Sequence, residues 1–348
     1  MARNVDIFIL GAGPAGINAA VEAHCLGLTS VIVEQKQVLN TIHSYYPESK
    51  RVDMDYKGVK AEFFGKVDFP EKSYSVAGYT EVIEKMIKHF NLDIRIPENI
   101  ESIKKISENP VQFEVKTDKE TYIAGAVLIA IGMFAKPKRL EAEIDKDARK
   151  QIVYEIAGKD YANSDIAVYG GANSAIEIAL NFYKRGNNVT IIYRGVMEKL
   201  ESNLNTGNLD DLRAVLAEQE KNPKYKFRID LKSQITKATK NAENGKLHAV
   251  YDTGVEVEFD YCFVAIGGGS SRDLLEGKCG VKFTEKGAPV LDDNYESDNK
   301  GLYVIGDVSE KGKAAIVTAM KESVFAVKHL KDTHFKGKTK DVPFDFKY

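Results

Sequence analysis

No Cys-x-x-Cys occurs anywhere in the 348 residues, and the three cysteines present, Cys25, Cys262 and Cys279, are widely spaced. That excludes a redox disulfide between neighbouring thiols and leaves any single reactive thiol without a resolving partner close by in sequence. Cys25 falls in a helix pattern and Cys262 in an apolar strand, where cysteine behaves as a small buried hydrophobe. Cys279 stands in loop-like surroundings. The six histidines, His24, His43, His89, His248, His329 and His334, show no metal-ligand spacing with cysteines or acids, and no Ser-His-Asp set is visible. Metal-dependent chemistry and nucleophilic hydrolysis therefore lack a sequence basis. No apolar run reaches the ~18 residues that a bilayer span requires, and Met1-Ala2-Arg3-Asn4 passes straight into a strand pattern without the features of a signal peptide. A cytoplasmic protein is expected. No basic block appears, and a net charge of -2 argues against a nucleic-acid partner.

What the chain does have is one strand-turn-helix pattern used twice. Val5-Asp6-Ile7-Phe8-Ile9-Leu10 reads as a buried strand, followed by Gly11-Ala12-Gly13-Pro14-Ala15-Gly16 and a helix from Ile17 to Leu26. Amides at the start of such a helix attract a pyrophosphate. Gly11 permits the tight turn, Gly13 lets the backbone approach the phosphates, and Gly16 lets helix and strand pack closely. Ser30-Val31-Ile32-Val33-Glu34 then reads as a second strand whose closing acid lies about twenty residues on, where a carboxylate meets a ribose hydroxyl. The spacing marks a dinucleotide site.

The second unit begins at the strand Asp165 to Tyr169, turns through Gly170-Gly171-Ala172-Asn173-Ser174-Ala175, and continues as a helix from Asn173 to Arg185. Ala172 stands where the middle glycine is usual, and its methyl hinders backbone approach to a phosphate. The next strand, Val189 to Tyr193, is followed by Arg194, whose guanidinium suits a 2'-phosphate and so favours NADPH over NADH. Gly195 stands where a second basic residue often reinforces that contact.

A chain of this length exceeds what one core serves, so two domains are expected. Near the other end, Gly301 to Asp307 reads as a strand running into a Gly306-Asp307 turn, with a helix from about Lys313, past Ala315, to Leu330. Glycine connectors follow two further apolar strands, at Gly132 after Val127 to Ile131 and at Gly267 after Cys262 to Ile266. Between the turns, Tyr79 to Phe90 has helical apolar spacing, and Val111 to Val115 with Thr121 to Ile123 reads as a hairpin. Leu209 to Glu220 reads as a further helix.

The Gly306-Asp307 turn resembles the second FAD fingerprint of flavoproteins with two dinucleotide-binding domains, and the full pattern resembles the low-molecular-weight thioredoxin reductase superfamily. The resemblance implies an α/β fold of two Rossmann-like domains, the NAD(P)H domain (138–270) inserted into an FAD domain (1–137 and 271–330), with a tail at 331–348. It implies FAD held by Gly11, Gly13, Pro14, Ala15, Gly16, Glu34, Tyr46, Asp53, Gly132, Gly306, Asp307 and Ala315. NADPH would be held by Gly170, Ala172, Asn173, Ser174, Ala175, Arg194 and Gly267. Asp307 would bind the ribityl chain. Tyr45-Tyr46-Pro47-Glu48 resembles the segment of thioredoxin-reductase-like ferredoxin-NADP reductases whose tyrosine stacks on the flavin, with Tyr46 as first choice and Tyr45 in reserve. Catalysis would need no side chain beyond the flavin, and no metal.

In thioredoxin reductases the disulfide stands just ahead of the NADPH turn, and Val153 to Lys159 holds no cysteine here. Lys50-Arg51-Val52-Asp53-Met54-Asp55-Tyr56-Lys57, Val153-Tyr154 and Tyr193-Arg194 resemble the flavodoxin:quinone reductases. The resemblance thus implies electron exchange between NADPH and flavodoxin, with ferredoxin or a quinone as other acceptors, in a homodimer. A bacillithiol-type disulfide reductase shares the missing Cys-x-x-Cys and Tyr193-Arg194-Gly195. A non-catalytic flavin sensor is the reading that Ala172 leaves open. Phe335, Phe344 and Tyr348 are candidates for an aromatic covering the flavin, and the tail lysines for steering an acidic partner.

Overall fold

The structure, a computed structural model, describes residues 2–54, 65–133, 137–156, 161–221, 226–269, 271–312 and 314–348. It divides into two compact units. The first comprises Met1–Ile42, Arg51–Lys136 and Ser270–Tyr348, and the second His43–Lys50 and Pro137–Gly269. Asp55, Tyr56 and Lys57 of the quoted motif, and Lys313, lie outside the described residues.

The first unit is built on a seven-stranded sheet. Its parallel part runs Ile94–Arg95, Ser30–Val33, Arg3–Leu10 and Thr121–Ile129. Phe8, Leu10, Val31 and Val33 of these strands are buried in one core with Phe113, Val115, Leu275 and Val281. Thr121–Ile129 is one strand, not a hairpin arm and a separate strand. Its first half pairs antiparallel with Val111–Thr117, while its second half pairs parallel with Leu302–Val304. Gly125 sits between the two halves, and a Cβ there would come within 3.0 Å of the Phe335 ring.

The helix Pro14–Cys25 opens with proline at its first position, where no amide hydrogen is needed, and carries no acid in its first turn. Val76–His89 starts earlier than its apolar spacing implies because Ser75 caps it, its hydroxyl accepting from Gly78 N at 3.0 Å. The closing helix, Ile316–Thr333, packs on Pro14–Cys25, with Asn18 Nδ2 donating to Met320 O and Ser323 Oγ.

The tail is packed onto this unit. Lys340 and Val342 donate backbone hydrogen bonds to Leu26 O and Cys25 O, at the end of the Pro14–Cys25 helix that is about 18 Å from its glycine turn. Phe344 meets Phe90, Tyr348 meets Phe69, and Tyr348 Oη accepts from Asp68 N at 2.7 Å. Phe335 is buried against Gly125. Phe335 and Phe344 therefore serve as packing groups for the unit's own core and helix ends.

The second unit carries a five-stranded parallel sheet in the order Ile152–Val153, Tyr261–Val264, Asp165–Tyr169, Asn188–Tyr193, Phe227–Leu231. Beside it lies a four-stranded sheet of Glu256–Phe259, Leu247–Tyr251, Ile235–Lys240 and Glu143–Ile144. Helix Asn173–Lys184 buries Ala175, Ile176, Ala179 and Phe182, and helix Thr206–Lys221 contributes Leu212 and Val215 to the same core.

Removing the Phe335 ring leaves a void over Gly125. Phe335→Ala should lower unfolding free energy by about 3 kcal/mol, read from the urea midpoint. An unchanged midpoint would show that the tail is not part of the folded unit.

Candidate nucleotide-binding turns

Each unit builds its turn from the same backbone contacts. Gly11 N donates to Val33 O and Gly170 N to Ile192 O. Ala130 N donates to Leu10 O, and Ala265 N to Tyr169 O. At Gly11 the backbone has φ +109°, and a Cβ would lie 2.6 Å from Ala130 O; at Gly170 φ is +152° and the distance to Ala265 O is 2.3 Å. Both positions require glycine. Ala130-Ile131-Gly132 and Ala265-Ile266-Gly267 repeat as well, each glycine with positive φ and open space around it.

In the first unit the glycines divide by what limits them. A Cβ on Gly16 would meet Gly11 O at 2.0 Å, a collision of backbone with backbone. A Cβ on Gly13 meets nothing within 4 Å, so its bareness serves whatever lies outside the chain. Glu34 is carried to the same turn by its strand, Oε2 accepting from Ala12 N at 3.0 Å. Gly306 has φ +77°, and a Cβ on it would lie 3.3 Å from the Ala15 Cβ, so the 306–309 turn joins this site. Asp307 is half-buried and accepts no hydrogen bond from the described residues, and burial raises its pKa. Such an acid is matched to hydroxyl donors on a ligand. Ala315 caps the closing helix with no side-chain hydrogen bond.

Two other residues of the expected set make contacts of their own. Asp53 is exposed and accepts from Ser73 Oγ at 2.5 Å, in the pairing of Arg51–Asp53 with Ser73–Ser75. Tyr46 belongs to the second unit, where the Lys50 ammonium stands 4.6 Å over its ring. The whole His43–Lys50 segment is tied there: Lys50 pairs with Glu177, Glu48 with Arg185 at 2.9 Å, and Ser44 O accepts from Ile156 N.

In the second unit Ala172 and Ser174 are exposed at the turn, and Ala175 is fully buried where the first unit has Gly16. Asn173 Oδ1 accepts from Asn205 N and Asn208 Nδ2, fixing the next loop. Arg194 is exposed. Strand register refines its place: Leu10 pairs with Val33 and Tyr169 with Ile192, so the residue standing where the first unit has Glu34 is Tyr193, and Arg194 is one further. The Tyr193 ring lies against Gly171 and Gly195, whose Cβ positions fall 2.2 and 2.7 Å from it. Gly195 is therefore glycine because the ring needs the room. Sequence spacing alone gave no sign of this.

All three thiols are buried, Cys279 included. Burial pushes the Cys25 thiol up to about 11 and those of Cys262 and Cys279 to about 12, so none is a thiolate near neutral pH. Asp292, Glu296 and His329 converge elsewhere in the first unit, but Lys300 already supplies their cation, 2.8 Å from Glu296 and 3.9 Å from Asp292.

The sequence pattern of pyridine nucleotide-disulphide oxidoreductases matches residues 8–306. The chain belongs to that family. Among similar oxidoreductases are a bacilliredoxin reductase of Bacillus subtilis, 24% identical over 88% of this chain and 90% of the relative, and a ferredoxin--NADP reductase of Pediococcus pentosaceus, 26% identical over 97% and 96%. In fold it matches the bacillithiol disulfide reductase of Staphylococcus aureus, with a TM-score of 0.75 at 21% identity, covering 95% of this chain and 99% of that one. A thioredoxin reductase of T. acidophilum matches with a TM-score of 0.75 at 22% identity, covering 96% and 100%. The two-domain Rossmann-type α/β fold of these oxidoreductases is thus the fold of this chain.

Because Gly16 is limited by the chain and Gly13 is not, the two should respond differently. Gly16→Val should destabilise the protein by about 3 kcal/mol or more, while Gly13→Val should melt within a few degrees of the parent. Equal losses on thermal unfolding would contradict this division.

Proposed function

We propose that this oxidoreductase takes electrons from NADPH onto FAD and passes them to a one-electron carrier, flavodoxin or ferredoxin, without a redox disulfide. The observation that supports it most is the turn built twice from the same contacts, one per unit, in a chain whose thiols are all buried. FAD fits the first turn: open space at Gly13 for the pyrophosphate, Glu34 for a ribose, and Asp307, which accepts no hydrogen bond from the described residues, for the ribityl hydroxyls. NADPH would lie on the second turn, with Arg194 reading its 2'-phosphate. When bound, the flavin supplies acceptance of a hydride and release of single electrons. The chain's own task is to bind and orient.

A ferredoxin-type acceptor is supported by the Pediococcus relative, and flavodoxin by the resemblance of Tyr193-Arg194 and Val153-Tyr154 to flavodoxin:quinone reductases. Quinone is a further acceptor in this reading, the protein is a cytoplasmic homodimer, and Gly132 and Gly267 add backbone contacts to the cofactors. A low-molecular-weight disulfide is the second reading, favoured by the bacilliredoxin reductase of B. subtilis. Anaerobic turnover with NADPH against flavodoxin, ferredoxin, a quinone and a bacillithiol-type disulfide separates these. Reduction of the disulfide alone would replace the first reading by the second, and failure to bind FAD would overturn both.

Arg194→Ala should raise the KM for NADPH by about tenfold or more, the worth of ~1.5 kcal/mol or more for a charge-assisted contact, and leave NADH nearly unchanged. Gly195→Arg should weaken NADPH as well, although it adds a positive charge, because its Cβ displaces the Tyr193 ring. Tighter NADPH binding in Gly195→Arg would show that the ring is not what keeps position 195 bare.

A further inference from the structure

Glu322 lies on the apolar face of the Ile316–Thr333 helix, in line with Ala319, Ala326 and Leu330, and is 1% exposed. Its Oε2 accepts two hydrogen bonds, from Gly306 N at 2.7 Å and from the Ser309 hydroxyl at 2.9 Å. The carboxyl thereby ties the closing helix to the turn that presents Asp307. No cation among the described residues stands within ion-pair distance of it. Asp307 on the same turn disfavours its charge, and Lys311 beyond the turn favours it. From the 292–297 loop Tyr295 faces it, and the Tyr295 hydroxyl is pushed up by burial and by this neighbour. The Pro14–Cys25 helix offers Asn18, which is bonded to Ser323, while Glu22 turns toward Lys66. Burial dominates, raising the Glu322 pKa to about 7. A glutamine would make the same two hydrogen bonds without a buried charge, so the carboxyl here carries something an amide does not.

We propose that Glu322 positions the Gly306–Ser309 turn against the flavin and takes up a solvent proton when the flavin is reduced. The inference rests on the FAD reading above. The hydride supplies two electrons and one proton to the flavin. Glu322 gains a further proton from water, with no other bond made or broken, and returns it when the carrier removes the electrons. The cause is Coulombic: reduction brings negative charge near a buried carboxylate, and a like charge favours its protonated form. The turn that Glu322 holds carries Asp307, which the FAD reading sets against the ribityl chain, so the flavin's charge is felt at the carboxyl in a dry interior.

The sign follows from the two redox states. Below about pH 7 Glu322 is protonated in both, so its charge adds nothing to the difference between them. Above about pH 7 it is ionised beside the oxidised flavin, its affinity for a proton rises on reduction, and the midpoint potential falls more steeply with pH than it would without the group.

The test is the midpoint potential of the FAD-loaded protein from pH 5.5 to 9, with Glu322→Gln as the comparison. The two should coincide below about pH 7 and diverge above it, the variant holding the higher potential. A purely structural role would displace the two curves by a constant amount, and parallel curves overturn the proposal. An infrared difference spectrum of the wild-type protein gives a readout that needs no variant: reduction above pH 7 should bring up a protonated-carboxyl band that shifts in deuterated water. Absence of that band overturns it too. Protein that cannot be loaded with FAD overturns the FAD reading and this inference together, whereas loaded protein with parallel curves overturns this inference alone.

Discussion

Backbone touching backbone is the constraint on which both units rest. Gly11 lies against Ala130 O and Gly170 against Ala265 O, each too near for a β-carbon. That contact lets the strand leave the sheet and turn at once into a helix, whose first amides have no partner within the helix. The rest of each site is arranged around this turn. A neighbouring strand brings the residue at the end of the second strand to it, Glu34 in one unit and Tyr193 in the other. In the first unit a distant segment adds Gly306 and Asp307.

The two units differ where their ligands would differ. Glu34 brings a carboxylate that accepts from the Ala12 amide and suits a ribose diol. Tyr193, at the corresponding place, brings a neutral ring, which leaves room for a phosphate beside Arg194 without like-charge repulsion. The ring in turn dictates Gly171 and Gly195. Gly16 leaves no room for a Cβ against Gly11 O, whereas Ala175 buries a methyl at the corresponding place. One backbone device would thus serve two ligands of different charge.

Much of this was legible in the sequence because it is local. The strand-glycine-helix spacing located both turns, the Gly306-Asp307 turn and the Ala-Ile-Gly pairs, and the helix Asn173–Lys184 ends one residue from its expected limit. What was missed depends on contacts between distant segments. The His43–Lys50 stretch joins the second unit through ion pairs to Glu177 and Arg185, which no periodicity reveals. The tail is held by two backbone hydrogen bonds and by aromatic contacts with Phe69 and Phe90. Tyr193 reads as the end of a strand until its register is compared with that of Glu34. Glu322 did leave a trace, being a glutamate at helical spacing from Ala319, Ala326 and Leu330, where a solvated helix face would not place it.

The central claim is that the flavin is the only electron store in this chain. Anaerobic titration of the FAD-loaded protein with NADPH tests it most directly, since each redox-active centre adds to the electrons taken up. One equivalent of NADPH per FAD should bleach the flavin completely, with the same stoichiometry when all three cysteines are replaced by serine or alanine. Consumption of two equivalents, falling to one on replacing the cysteines, would show a thiol pair in the path and contradict the account.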